Sequence, residues 1–399
     1  MRVAFGRDAS GERMSLFRDL GLTPIINACG TVTRLGGAPM PQAVLDAFFS
    51  AATETVPLEQ LQAAASQKIA EATGAQAGLV TSGAAASLTL GAAAILARWN
   101  IARMERLPNC DGFPHEFIVA REQRNGYDHA VRAAGARLSE VGFNEIVANA
   151  GVRRTEAWEY DAAFGPGTAG IFYGYSSTSQ PPLERVVECA HRHNLPVLVD
   201  AAAELPPRSN LSAILATGAD LVAFSGGKAI RGPQSTGILC GRRDLIGSAA
   251  LQMLDMDDHP ELWDPPASLI DRTKFAGMPR HGIGRSFKVS KEEIAALLKA
   301  LELFEKGTFD ADVARHRNWL EKIARSLTAV PAECRLFDPN DGERSAVLEI
   351  AVNETRLGRT AFEICRRLRN GTPPIYVGHA KLSEGILVIR PICLSEAQI

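Results

Sequence analysis

Apolar and polar positions along the chain alternate between two textures. Short apolar runs of strand length occupy Ala77–Thr81, Phe117–Ala120, Arg137–Val141, Ile171–Tyr175, Pro196–Asp200, Leu221–Phe224 and Gly237–Cys240. Segments of helical period lie between several of them, at 84–99, 127–134, 182–193 and 211–217. Short strands alternating with helices predict an α/β domain around a mostly parallel sheet. Upstream, residues 1–20 read as a short amphipathic helix, and Thr23 to Gly30 as an extended run closed by glycine. Pro41 opens a helix with Ala43, Val44, Ala47 and Phe48 on one side, and a second helix over 58–73 ends at Gly74.

After about residue 255 the texture changes. Residues 256–285 are rich in Asp, Pro, His and Arg and read as irregular. A helix then runs from Ser290 to about Lys306, opened by a capping box of Ser290 and Glu293. Helices at 311–327 and 359–369 alternate with strands at 346–351 and 386–390, as in a smaller α+β domain. The expected division is an N-terminal segment 1–52, a large α/β domain 53–255 and a small C-terminal domain 256–399.

The 399 residues carry a net charge of −2, so bulk electrostatics gives nucleic-acid binding no support. The seven cysteines are scattered, without metal-ligand spacing, which fits a reducing cytoplasm with no disulfide framework and no metal site. The N-terminus lacks the apolar core of a signal peptide. Gly78 to Ala97 is uncharged but dominated by Ala, Gly, Ser and Thr, and reads as a buried helix rather than a membrane span.

One residue breaks the pattern. Lys228 follows Ser225, Gly226 and Gly227 in a small-residue turn between two buried runs. A lysine placed there, beside a hydroxyl suited to an anion, has the layout of one that carries pyridoxal 5'-phosphate as a Schiff base. Such a lysine needs a partner for the pyridine nitrogen. Asp200 ends the buried run one helix upstream, at the strand end where α/β proteins bind ligands. It also needs a phosphate cradle. Thr81, Ser82, Gly83 and Ala84 form a strand-turn-helix start whose N–H groups and hydroxyls suit an anion, with Ser225 as a further hydroxyl.

Candidates for the substrate are less distinct. Gln123, Arg124, Tyr127 and His129 follow the strand ending at Ala120, where they read equally as ring or substrate contacts or as a solvated loop. Arg390 ends an apolar strand and fits either a substrate carboxylate or a structural salt bridge. Arg34, Arg280 and Arg285 flank glycines in irregular segments and are within the reach of an anionic substrate or of solvent alone.

These segments resemble a known family. The run from Phe224 through Lys228 to Gln234 is similar to the cofactor-lysine segment of the seryl-tRNA selenium transferase-like family of fold-type-I pyridoxal phosphate enzymes. So are Ile26 to Gly37, Gln123 to Ala130 and Gly282 to Glu293, in order along nearly the whole chain. Within that family the chain looks closer to the D-glucosaminate-6-phosphate ammonia-lyase branch. The true selenium transferases typically read Ser-Gly-Asp-Lys where this chain has Gly227 before Lys228, and a His-Thr-Asn-Leu-Gly-Arg-like run near residues 31–37. The start close to Ile25 leaves little room for their N-terminal tRNA-binding domain.

The resemblance implies an aspartate aminotransferase-like fold and a cytoplasmic homo-oligomer built from dimers. It implies a lyase that removes water and ammonia from a β-hydroxy α-amino acid or amino sugar acid to give a 2-keto-3-deoxy acid. The Lys228 and Asp200 pair alone would equally serve an aldolase, a racemase or a β-substituting transferase. A tRNA-binding relative is the reading from a different class.

Overall fold

The computed structural model describes residues 16–143, 154–255, 257–339 and 341–399. Of the helix expected over 1–20, residues 1–15 lie outside these, and Leu16–Asp19 forms a single helical turn. The strands in chain order begin with β1 Ile26–Ala28, β2 Ala77–Thr81, β3 Glu116–Ala120 and β4 Arg137–Val141. They continue with β5 Thr168–Gly174, β6 Val197–Asp200, β7 Leu221–Ser225 and β8 Gly237–Gly241. The last four are β9 Ala332–Phe337, β10 Val347–Val352, β11 Ile375–Val377 and β12 Ile386–Ile389.

Two compact units contain these strands, residues 40–308 and residues 1–39 with 309–399. The first holds a seven-stranded sheet in the order β2-β8-β7-β6-β5-β3-β4. β8 is antiparallel to β2 and β7, and the other pairings are parallel. The strands at its centre are apolar and buried on both faces, as a sheet covered by helices requires. The uncharged stretch expected as one buried helix is instead the end of β2 followed by helix Ala84–Ala97, which is buried from Ala86 to Ala97. Among the described residues no helix is long and apolar enough to cross a membrane.

In the second unit, β12-β10-β9 form an antiparallel sheet and β1 pairs in parallel with β11. Helices Asp310–Ser326 and Ala361–Arg369 bury Leu320, Ala361 and Cys365 in a core with Leu348, Ile350 and Leu387.

The division differs from the one expected at residues 52 and 255. The β1–β11 pairing groups the N-terminal strand with the C-terminal residues. Residues 257–308 stay with the large sheet because helix Lys291–Glu305 packs on helices Gln42–Ala52 and Leu58–Thr73. The irregular segment before that helix is also anchored, since Gly284 packs against Leu90 and Gln252 with no space for a side chain.

Candidate active site

The chemistry-bearing residues of the larger unit gather where the strands of the sheet end. Asp200 closes β6, level with Gly174 on one side and Ala223 on the other. β7 ends at Ser225, and the chain turns back into β8 through Gly226 to Thr236, with Lys228 in the turn. Backbone bonds close this turn. The Gly226 N–H donates to the Thr236 carbonyl at 2.9 Å, the Gly232 N–H to the Gly226 carbonyl at 2.9 Å, and the Arg231 N–H to the Lys228 carbonyl at 3.1 Å. A side chain at Gly227 would begin 2.4 Å from the Gln234 Cα, so the turn is packed too closely for any residue but glycine there.

Burial pushes the Lys228 amine below the ordinary lysine range, opposed by the negative charges of Asp200 and Glu204. Burial likewise pushes Asp200 above the ordinary carboxylate range, opposed by the Ala202 N–H, which donates to its Oδ1 at 3.1 Å, and by Lys228. Each charge thus sits where it is costly alone and is partly offset by the other. Glu204 escaped sequence reasoning. Its only signal was an acidic residue shortly after a strand-ending Asp.

The cradle is built across one glycine. Gly237 at the start of β8 pairs with Thr81 on one side and Ser225 on the other, so both strand ends flank it. Neighbouring strands lie about 4.8 Å apart, which places the two ends on the order of 10 Å from each other. A Cβ at Gly237 would meet the Gly83 carbonyl carbon at 2.4 Å and the Ala84 nitrogen at 2.6 Å, so its absence lets the start of helix Ala84–Ala97 approach the sheet. Thr81 is fully buried. Its hydroxyl lies 3.0 Å from the Gly83 carbonyl and 2.7 Å from the Ser87 hydroxyl, and the Gly83 N–H donates to the Thr81 carbonyl at 2.9 Å. Thr81 and Gly83 therefore shape the turn. The hydroxyls of the half-buried Ser82 and Ser225, and the N–H groups of the first helical turn beginning at Ala84, are the donors that suit a phosphate.

The segment after β3 is organised around itself. Gln123 is buried, with its Oε1 accepting from the Gly174 N–H at 3.1 Å and its Nε2 donating to the Gln180 carbonyl at 3.3 Å. Arg124 donates to Asp128 at 2.5 Å and also binds Glu140. His129 Nδ1 lies 3.2 Å from an Arg132 nitrogen, and Tyr127 is exposed. Arg285 donates to Asp255 at 2.7 Å, and Asp255 also binds His281 at 2.8 Å. The structure thus commits Gln123, Arg124 and Arg285 to protein partners and does not join them to Lys228.

Arg34 and Arg390 belong to the other unit. Arg390 directly follows β12, its N–H donates to the Ala28 carbonyl at 2.9 Å, and its side chain lies over Gly30. Among the described residues it has no carboxylate within 4.0 Å, so the structural salt bridge considered for it is not formed within the described chain. Arg34 lies over the Tyr376 ring, 5.7 Å from its centroid.

A recessed amine, a carboxylate at the neighbouring strand end and an anion cradle one strand away are the donor set that pyridoxal phosphate requires. Comparison with known proteins agrees. Residues 174–364 match the family model described as "Aminotransferase class-V". The chain is 26% identical to the D-glucosaminate-6-phosphate ammonia lyase of Salmonella typhimurium, over 96% of this chain and 95% of that one. A solved structure of D-glucosaminate-6-phosphate ammonia-lyase superposes with a TM-score of 0.79 at 26% identity, covering 96% of this chain and 95% of the other. A Streptomyces protein, 5'-C-glycyluridine monooxygenase-decarboxylase, is 29% identical over 97% of this chain and 90% of its own. The L-seryl-tRNA(Sec) selenium transferase of Geotalea daltonii is 24% identical over 89% of this chain and 66% of its own.

The chain is a pyridoxal-phosphate-dependent enzyme of fold type I, with a small molecule as substrate. Within that class it is similar to the ammonia lyase over nearly the full length of both chains and, at lower identity, to the selenium transferase.

Proposed function

We propose that this enzyme eliminates water and ammonia from a β-hydroxy α-amino acid or amino sugar acid, with D-glucosaminate 6-phosphate as the first substrate to test. Likeness to the ammonia lyase over almost the full length of both chains carries this reading. When bound, pyridoxal phosphate supplies an electron sink for negative charge at the substrate Cα. Lys228 would hold the cofactor in the resting enzyme. Ser82, Ser225 and the helix start at Ala84 would hold its phosphate, with Thr81 and Gly83 setting the shape of the turn. Asp200 would keep the pyridine nitrogen protonated, which gives its buried charge a partner.

Lys228 would take the Cα proton. Its lowered proton affinity leaves more of it neutral near pH 7 than an exposed lysine would be, as a base requires. The β-hydroxyl then leaves with a proton as water. The carbon skeleton is released as an enamine, which takes up water, loses ammonia and becomes the 2-keto-3-deoxy acid. Arg390 is the proposed clamp for the substrate α-carboxylate. We place the enzyme in the cytoplasm, as a homo-oligomer of one or more dimers with no nucleic-acid partner. The near-neutral charge and the seven free cysteines support this placement.

The test is to supply D-glucosaminate 6-phosphate and assay ammonia and keto acid together. Equimolar release is expected, and no product at high enzyme concentration would sink the substrate assignment. Borohydride reduction followed by peptide mapping should mark Lys228 whatever the substrate. The likeness to the monooxygenase-decarboxylase favours a second reading, oxidative loss of the carboxyl group at the same Cα. That reading requires oxygen uptake and carbon dioxide release, whereas the elimination proceeds without air.

A further inference from the structure

A second concentration of positive charge lies within the unit formed by residues 16–39 and 309–399. Helix Ala361–Arg369 turns Phe362, Cys365, Arg366 and Arg369 to one face by their three- and four-residue spacing. That face lines a cavity of about 340 Å³, together with Asn370, His379 and Arg34. The volume is at the lower end of the range of small-molecule pockets, which starts at about 300 Å³.

Three guanidinium groups therefore meet in one cavity. Arg34 and Arg369 lie over the same Tyr376 ring, 5.7 Å and 5.1 Å from its centroid. Among the described residues none of Arg34, Arg366 and Arg369 has a carboxylate within 4.0 Å. The Arg369 Nε is buried without a hydrogen-bond acceptor. Glu363 is the acidic group that feels Arg366, but its carboxylate accepts from the Thr360 N–H at the start of the helix. Burial pushes the neighbouring Cys29 thiol up, opposed by the positive charges of Arg34, Arg369 and Arg390.

Basic residues at a helix C-terminus are ordinary, because they complement the dipole. That accounts for Arg366, Arg367 and Arg369 as a set. It does not account for Arg34, which comes from the separate turn Thr33–Leu35, nor for an orphaned donor. Like charges gathered around a hollow, one with a buried donor unmet, favour an anionic acceptor there. A guanidinium fork is matched to the oxygens of phosphate, and three forks exceed what a single carboxylate can use.

We propose that this cavity binds the dianionic phosphate of a small phosphate monoester, distinct from the phosphate of the cofactor. The inference does not depend on the reaction assigned to Lys228. The test uses the full-length holoenzyme, whose cofactor phosphate site is already filled. Inorganic phosphate is titrated at constant ionic strength and followed by calorimetry. One saturable site is expected. Arg369→Gln and the solvent-exposed Arg366→Gln should each weaken it about tenfold or more. Arg185→Gln, a surface control in the other unit, should leave it unchanged. Absence of a saturable site overturns the proposal, as does an affinity indifferent to both Arg366→Gln and Arg369→Gln. The source of the phosphate is read separately, from KM for D-glucosaminate 6-phosphate against D-glucosaminate. If Arg366→Gln erases the preference for the phosphorylated form, the cavity holds the substrate's own phosphate. If the preference survives while phosphate binding weakens, the ligand is a separate phosphorylated molecule. The site stands in either case.

Discussion

Two regions open on the same edge of the central sheet and use charge in opposite ways. After β3, Arg121, Arg124 and Arg132 meet Asp128 and Glu140 in a closed set of ion pairs. After β7, the turn holding Lys228 carries little charge, yet its amine has no ion-pair partner among the described residues. The dense region is self-satisfied and so has little left for a ligand. The sparse one is held by backbone bonds and close glycine packing, which keeps its side chain available. Charge density along the chain is therefore a poor guide to chemistry, and an unspent charge in a buried place is a better one.

The contrast can be broken most severely at its centre. Lys228→Ala should lower kcat by about a thousandfold or more, since on the proposed assignment both the cofactor anchor and the proton carrier are lost. Turnover within tenfold of the wild type would mean that the base lies elsewhere. Asp200→Asn should cost about a hundredfold in kcat while cofactor still binds, because charge at the pyridine nitrogen is lost but the cradle remains.

The same Asp200→Asn change should act in the opposite direction on the cofactor-free chain. The carboxyl is raised above its unfolded value, so the folded state holds that proton more tightly. Its cost to stability is absent below the unfolded value, near pH 4, and grows as pH rises through the folded one. Without cofactor, Asp200→Asn should therefore melt higher than wild type at pH 7, with the difference closing towards pH 4. Melting curves across that range check the sign. A variant less stable at pH 7 would refute it.

Gly227→Ala sharpens the contrast by altering backbone packing alone. A Cβ 2.4 Å from Gln234 must displace that strand of the turn, at a cost of roughly 1–3 kcal/mol. A lower melting temperature and weaker cofactor binding are expected. Smallest of all should be Arg124→Ala. Asp128 is buried but keeps Arg132 as a partner, so the loss falls on stability, and kcat/KM should stay within about twofold. A tenfold fall there would return the segment after β3 to the substrate.

Much of the large sheet was legible, because its strands are short apolar runs with polar punctuation. Ala77–Thr81 and Arg137–Val141 fall where the pattern put them. The capping box of Ser290 and Glu293 is formed as read. Helix Arg243–Met253 gave no such signal. It is buried from Leu245 to Met253, so it carries no polar stripe from which to read a period. The segment 127–134 opens as a 3-10 turn, Gly126–Asp128, before its helix, because Asn125 captures the Tyr127 N–H.

Within the site, Lys228 and Asp200 were legible because a charge at the end of an apolar run is conspicuous. The inward turn of the Thr81 hydroxyl onto Gly83 and Ser87 was not, since residue type does not settle a local rotamer, nor was Glu204, whose charge meets Lys228 only through the fold. The same limit hid Arg366 and Arg369, which look like ordinary helix-terminal arginines until Arg34 is brought beside them.

Gly237, paired at once with Thr81 and Ser225, has a thermodynamic consequence. The spacing between the lysine turn and the helix start is set by strand pairing, which forms with the fold itself. On the proposed assignment the cofactor would meet a receptor already assembled, and little of its binding free energy would be spent on ordering the protein. Cofactor-free chain should accordingly resemble the loaded enzyme in far-ultraviolet circular dichroism, and loading should proceed as a docking event rather than as a refolding one.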